Sequence, residues 1–223
     1  NDGKRYVFDI PVYNNLQEDV TFAVGTGLNG SGSGLYPSDD YKGIVAYQPT
    51  DATKANTYGV DNYYSSRSTP AYAHSFMLSS VLTDDYIDND DVKGPSKNDF
   101  GNYVKFNYVK VNDFGWRNPA EANKASFNEG LKSLKSDDKA SFIYGSKELM
   151  FVQNIESKNY IIVFTLSDRD DLKSVTGRNG GLTNGKSAKR IDRIDKYSRI
   201  DVEQNGILNA VPIQSIHFVY DYS

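Results

Sequence analysis

The sequence predicts an all-β fold with minor helix: twisted antiparallel sheets in a sandwich-like arrangement, joined by long loops. Three observations point there. Tyr and Phe number 17 and 11 against only 2 Met, and aromatic side chains suit a pleated, half-buried surface. Apolar residues recur at every second position through most of the ordered stretches. Helix signals gather in one place only.

Taken in chain order, "RYVFDIPVY" alternates as a strand, with Pro11 marking an edge or a strand end. A turn is expected in "NNLQED", followed by a second strand in "DVTFAV". "AHSFMLSSVL" is short and follows Pro70, so it reads as a strand. "NYVKFNYVKV" sets Val104, Phe106 and Tyr108 on one face. The one short helical segment is expected over 118–134, "NPAEANKASFNEGLKSL", where Asn118 would cap and Pro119 would occupy the first turn. Three strands follow at 141–144, 148–155 and 160–166, the last two joined by a hairpin at "ESKN". "SAKRIDRIDKYSRID" interleaves both signs of charge, a solvated face on either a helix or a strand. "IQSIHFVYDY" closes the chain as a strand with Ile216, Phe218, Tyr220 and Tyr222 on one side. Loops fill 25–43, 48–62, 84–101 and 167–187. No repeat or linker divides the chain, which is expected to be one domain over 1–223, with room for two lobes meeting near 115.

The totals exclude several classes. A net charge of −4 does not suit a general nucleic-acid binder, which needs a basic face to displace counterions. No apolar run is long enough for a spanning helix. Cys is absent and His74 and His217 are the only histidines, so neither thiolate zinc sites nor imidazole-rich centres can form. The chain opens on Asn1 and reads as a piece of a larger protein.

Gly25, Gly27 and Gly30 in "VTFAVGTGLNG" match the dinucleotide spacing G-x-G-x-x-G. That fingerprint needs a helix to follow, whose free N–H groups hold the pyrophosphate. Here "SGSGLYPSDD" follows instead, rich in Gly and Pro. The glycines therefore belong to a loop.

The acids crowd at "TDDYIDNDDVKGPSKND". Asp88, Asp90, Asp91 and Asp99 form a candidate calcium site, because calcium takes oxygen-rich loops with a Gly at the sharp turn. The spacing matches an EF-hand loop poorly, since Val92 stands at the fifth position. A solvated acidic loop is the competing reading. His74 and His217 lie on strand candidates, where a lone imidazole packs rather than activates a nucleophile. No catalytic residue and no organic cofactor are expected. Surface Tyr could stack on sugar rings, which makes glycan a candidate partner; the bland reading pairs these aromatics across strands in the core.

A set of ordered phrases then bears on origin: "DGKRYVFDIPVYNNLQEDVTFAV", "TPAYAHSFMLSSVLTDDYID", "DFGNYVKFNY", "WRNP", "NEGLKSLKSDDKASFIYGSKELMFVQNIESKNYIIVF" and "VPIQSIHFVYDYS". Together they resemble a segment inside very long Bacteroidetes proteins of the RHS/YD-repeat class of secreted or surface polymorphic toxins. The resemblance spans nearly the whole chain and is least over 25–60 and 167–187. It implies a β-rich scaffold segment of a giant exported protein, extracellular or on the outer cell surface, whose partners are other domains of the same chain. In similar sequences the acidic loop reads D-x-T-G-D-G, closer to a calcium loop, whereas "DNDDVKG" lacks the acid before Gly94. The expected function is thus a non-catalytic structural module. Its alternatives are a carbohydrate-binding module and, more weakly, a glycosidase-type enzyme with two facing carboxylates.

Overall fold

A computed structural model describes residues 3–24, 43–128 and 138–222. The glycine triplet of the dinucleotide spacing lies outside them. The fold is all-β, with one short helix among the described residues. Its elements are β1 (Arg5–Ala23), β2 (Ile44–Ala46), β3 (Tyr64–Thr69), β4 (Tyr72–Leu82), β5 (Tyr103–Asn118), β6 (Lys124–Asn128), β7 (Lys139–Ser157), β8 (Tyr160–Val175), β9 (Leu182–Ser198), α1 (Arg199–Asn205) and β10 (Gln214–His217). All strand pairings are antiparallel within one hydrogen-bonded sheet, β10-β9-β8-β7-β5-β4-β1-β3, with β2 and β6 attached beside β7.

The two longest strands organise the sheet. β1 pairs β4 from Arg5 to Asn14, then leaves it and pairs β7 from Asn14 to Ala23. β7 in turn pairs β5 along nearly all its length, and β5 meets β4 over Tyr103–Lys105. The four strands β1, β4, β5 and β7 therefore close a circuit of pairings. The expected turn at "NNLQED" is the point where β1 changes partner: a register shift between Asn14 and Leu16 replaces a reversal. Asn15 on this bend donates its side-chain N–H to Asp113 at 2.8 Å, which answers the kink by a polar clasp between strands.

The core lies where β2, β6 and the turn after β2 pack onto β1 and β7, giving the sandwich-like contact. Val20, Phe22, Val45, Tyr47, Ala125, Ala140 and Phe142 are all buried there. Phe22, Tyr47 and Phe142 form an aromatic trio, with ring centroids 5.0 to 6.2 Å apart. Such contacts add roughly 0.5–1.5 kcal/mol each to the burial itself.

Several expectations change. The helix over 118–134 does not form: β5 runs to Asn118, the Asn118–Pro119 peptide is cis, and Lys124–Asn128 is β6. Residues 129–137 lie outside the described ones. The Ala-rich stretch suits a helix locally, yet fully buried Ala125 fits against the core only as a strand residue, and pairing overrides propensity. The expected loop over 167–187 shrinks to 176–181, because β8 and β9 extend as a polar ribbon. There Ser167 faces Arg190 and Asp168 faces Lys189, so cross-strand polar pairs stand where apolar alternation was sought. The two strands expected at 141–144 and 148–155 are one strand through Gly145, whose bare Cα leaves room for the Trp116 indole. Both histidines are exposed and neither packs in the core. No helix among the described residues is long and apolar enough to cross a membrane.

Candidate functional site

The loop between β4 and β5, residues 83–102, carries the acid cluster. Its ends are stapled by Thr83, whose backbone N–H and hydroxyl both reach the Asn102 carbonyl, at 3.0 and 2.9 Å. An Ile87–Phe100 bridge continues this ladder. Gly101 adopts φ +72, and an added Cβ would sit 2.6 Å from the Asp85 carbonyl oxygen, so only Gly fits this close approach.

Asp99 is the centre of the loop. It is 2% exposed, and both carboxylate oxygens are occupied. Oδ1 accepts the Asn89 N–H at 3.0 Å, while Oδ2 accepts the Tyr86 hydroxyl and the Ser96 N–H, both at 2.7 Å. These bonds, Tyr86 first, hold the Asp99 carboxyl below its ordinary range. Burial, together with the facing carboxylate of Asp99, pushes the Tyr86 hydroxyl well upward, so it stays a donor at any physiological pH. The Asp99 carbonyl accepts Lys158 Nζ at 2.6 Å, tying the loop to the β7–β8 hairpin.

Of the four expected ligands, Asp88, Asp90 and Asp99 come together, with one oxygen from each within 4.8 Å of the others; Asp91 does not join them. Asp90 accepts the Val92 N–H at 3.0 Å and the Ser96 hydroxyl at 2.7 Å. A calcium ion takes six to eight oxygens. The cluster offers three carboxylates, and on Asp90 and Asp99 every oxygen already has an N–H or O–H donor. The arrangement does its chemistry as an anion-centred clasp, in which backbone donors fold around a carboxylate.

The loop folds back over β1, β4 and β5, and together they line a cleft of about 410 Å³. Its apolar part comes from Val7, Ile10, Leu82 and Phe106. Asp9 and Asp88 stand with Lys93 and Lys105 at its polar part, so no excess of one sign gathers to draw a phosphate. The sequence singled out the acids but not Tyr86, Ser96 or the lysines. Ser96 was readable, since S-x-x-acid is the capping-box spacing, in which the later side chain reaches back to the N–H three residues before it.

A second cluster escaped the sequence entirely. Arg117 is 6% exposed. Its guanidinium donates to the carbonyls of Pro119, Lys124 and Arg178 and to the Tyr47 hydroxyl, and lies 4.1 Å from the Phe142 ring centroid. Burial lowers its pKa, with Tyr47 opposing. Arg178 stands 5.3 Å from the same ring, bonds the Ala52 carbonyl at 2.9 Å and pairs Glu18 at 2.8 Å. Burial pushes the Glu18 carboxyl up, and the Arg178 and Ser66 bonds outweigh it, leaving Glu18 below its usual value. Two cations thus stand close to one aromatic ring in the core.

The chain matches no family model, and no curated protein or solved structure is significantly similar to it.

Proposed function

We propose that this chain is a non-catalytic structural module of a larger exported or cell-surface protein, a scaffold segment of the RHS/YD-repeat toxin type whose partners are other domains of the same polypeptide. The resemblance of its ordered phrases supplies the class. What supports the structural role is where the buried charges go. Arg117, Arg178 and Asp99 direct their donors or lone pairs to the chain itself, the two arginines joining segments far apart in sequence and Asp99 closing its own loop. Catalytic groups need a free lone pair or proton facing a substrate; these have their bonds filled by the fold.

One observation favours a second reading, glycan binding. Tyr6, Phe8 and Phe76 are each 56% exposed. Tyr6 and Phe8 stand two apart on β1, and Phe76 stands two from Leu78, the partner of Phe8. Alternation therefore gathers these rings on one face of adjoining strands, a platform on which a sugar ring could stack.

One experiment separates the readings. The purified chain is screened on a glycan array and on soluble polysaccharides, with reducing-sugar release followed in parallel. No binding and no release, together with cross-links from this segment to neighbouring domains in the natural full-length protein, is the expected result. Binding lost in Phe8→Ala or Phe76→Ala would move the function to glycan recognition, and sugar release would move it to catalysis.

A further inference from the structure

The pairing of β1 with β4 is irregular where the two strands wall the cleft beside the acid loop. Val7 pairs Ser80 and Phe8 pairs Leu78, so Ser79 has no residue opposite it. Ile10 then pairs Met77, which leaves Asp9 unopposed as well. Each unopposed residue is a β-bulge, a device that re-aims a side chain. Regular alternation would turn Val7 and Asp9 to one face and Ile10 to the other. Instead Asp9 and Ile10 both line the cleft, a carboxylate beside an apolar side chain.

The charges around this space do not answer one another. Asp9 from β1, Lys105 from β5 and Lys93 from the loop all line the cleft. Among the described residues, none of these three side chains has a hydrogen-bond or ion-pair partner. Opposite charges within reach would close into ion pairs; these stay apart across a space lined also by Leu82, Phe106 and the Tyr86 ring. That ring is held in place. Its hydroxyl bonds Asp99 at 2.7 Å, and Arg5 stands 5.7 Å from its centroid while bonding the Tyr86 carbonyl at 3.0 Å.

We propose that this cleft binds a free α-amino acid with a large apolar side chain. The ligand's ammonium pairs Asp9 and its carboxylate pairs Lys105, with Lys93 as a further cation near the mouth. Its side chain lies against Phe106 and Tyr86, where an aromatic ring gains most. A ligand of one charge leaves Asp9 or Lys105 unanswered, and a neutral sugar answers neither. The volume of about 410 Å³ falls at the lower end of small-molecule sites, which suits a ligand of this size. This inference stands apart from the scaffold reading.

Titration of the intact chain with L-phenylalanine, followed by saturation-transfer NMR, tests it. Saturable binding is expected in the millimolar range or tighter. N-acetyl-L-phenylalanine lacks the ammonium and L-phenylalaninamide lacks the carboxylate, and each binds about tenfold more weakly. Asp9→Asn weakens L-phenylalanine about tenfold but does not weaken the N-acetyl compound, which never used that carboxylate. Lys105→Gln gives the converse, weakening L-phenylalanine but not the amide. An unchanged thermal midpoint in each variant shows that the fold is intact, since Asp9 is exposed and Lys105 half-buried. No saturable signal, equal affinity for the three molecules, or indifference of L-phenylalanine to either variant overturns the proposal.

Discussion

The arginine cluster and the acid loop both bury a charge, and they satisfy it in opposite ways. Arg117 is wrapped by acceptors from the turn after β2, from β6 and from the 176–181 turn, so its bonds tie together distant parts of the chain. Asp99 is wrapped by donors from residues 86 to 96, within its own loop. A cation held by remote carbonyls exists only once the whole sheet has assembled. An anion held by nearby N–H groups needs only its loop. The comparison teaches that equal burial does not mean equal reach: losing the first opens the core, and losing the second loosens one surface segment.

The largest effect is expected for Phe142→Ala. It removes the ring shared by both arginines and leaves a cavity, at a cost of about 3–5 kcal/mol, measured by urea unfolding. Arg117→Met follows. The apolar side chain fills most of the volume but orphans three carbonyls and the Tyr47 hydroxyl, for about 3 kcal/mol; a loss under 1 kcal/mol would show that the guanidinium is held there without stabilising. Asp99→Asn comes next, with a smaller fall in melting midpoint, because the amide presents donors to groups that themselves donate.

The pH dependence sharpens the contrast. Asp99 has a folded pKa below the ordinary 3.8. Its contribution is therefore complete above that value and is lost as pH falls through the lower folded one. The stability gap between the parent chain and Asp99→Asn should close as pH drops below 3.8, while the gap to Phe142→Ala persists. The smallest effect is expected from metal removal. The cluster supplies three carboxylates to an ion that takes six to eight oxygens, so EDTA should leave the midpoint in place. A site for calcium would instead raise stability by about 2.7 kcal/mol at a hundredfold excess over its Kd, readable as a higher midpoint with added calcium.

Local chemistry was legible in the sequence, and remote pairing was not. Strand alternation in "DVTFAV" and "NYVKFNYVKV" marked parts of β1 and β5; in the first, Val20 and Phe22 are buried and Asp19 and Thr21 half-buried, whereas in the second both faces are half-buried. The acids of the loop were visible because they crowd in sequence, and the groups that donate to the Asp99 carboxylate lie 3 to 13 residues away. Arg117 sat unnoticed in "WRNP", and Arg178 fell inside a stretch read as loop. Nothing near either residue shows that both will reach the Phe142 ring. β8 was cut short, and β9 was left open between helix and strand, because their outer halves pair through charges, and a period-2 search counts apolar residues. The "NNLQED" bend was misread because turn-forming residues also serve where a strand trades one neighbour for another.

That trade has a mechanical consequence. β1 and β7, each 19 residues long, would extend about 63 Å at the usual rise per residue, and each is stitched to several neighbours. A pull directed along β1 would strain many rungs simultaneously, instead of unzipping them singly from one end.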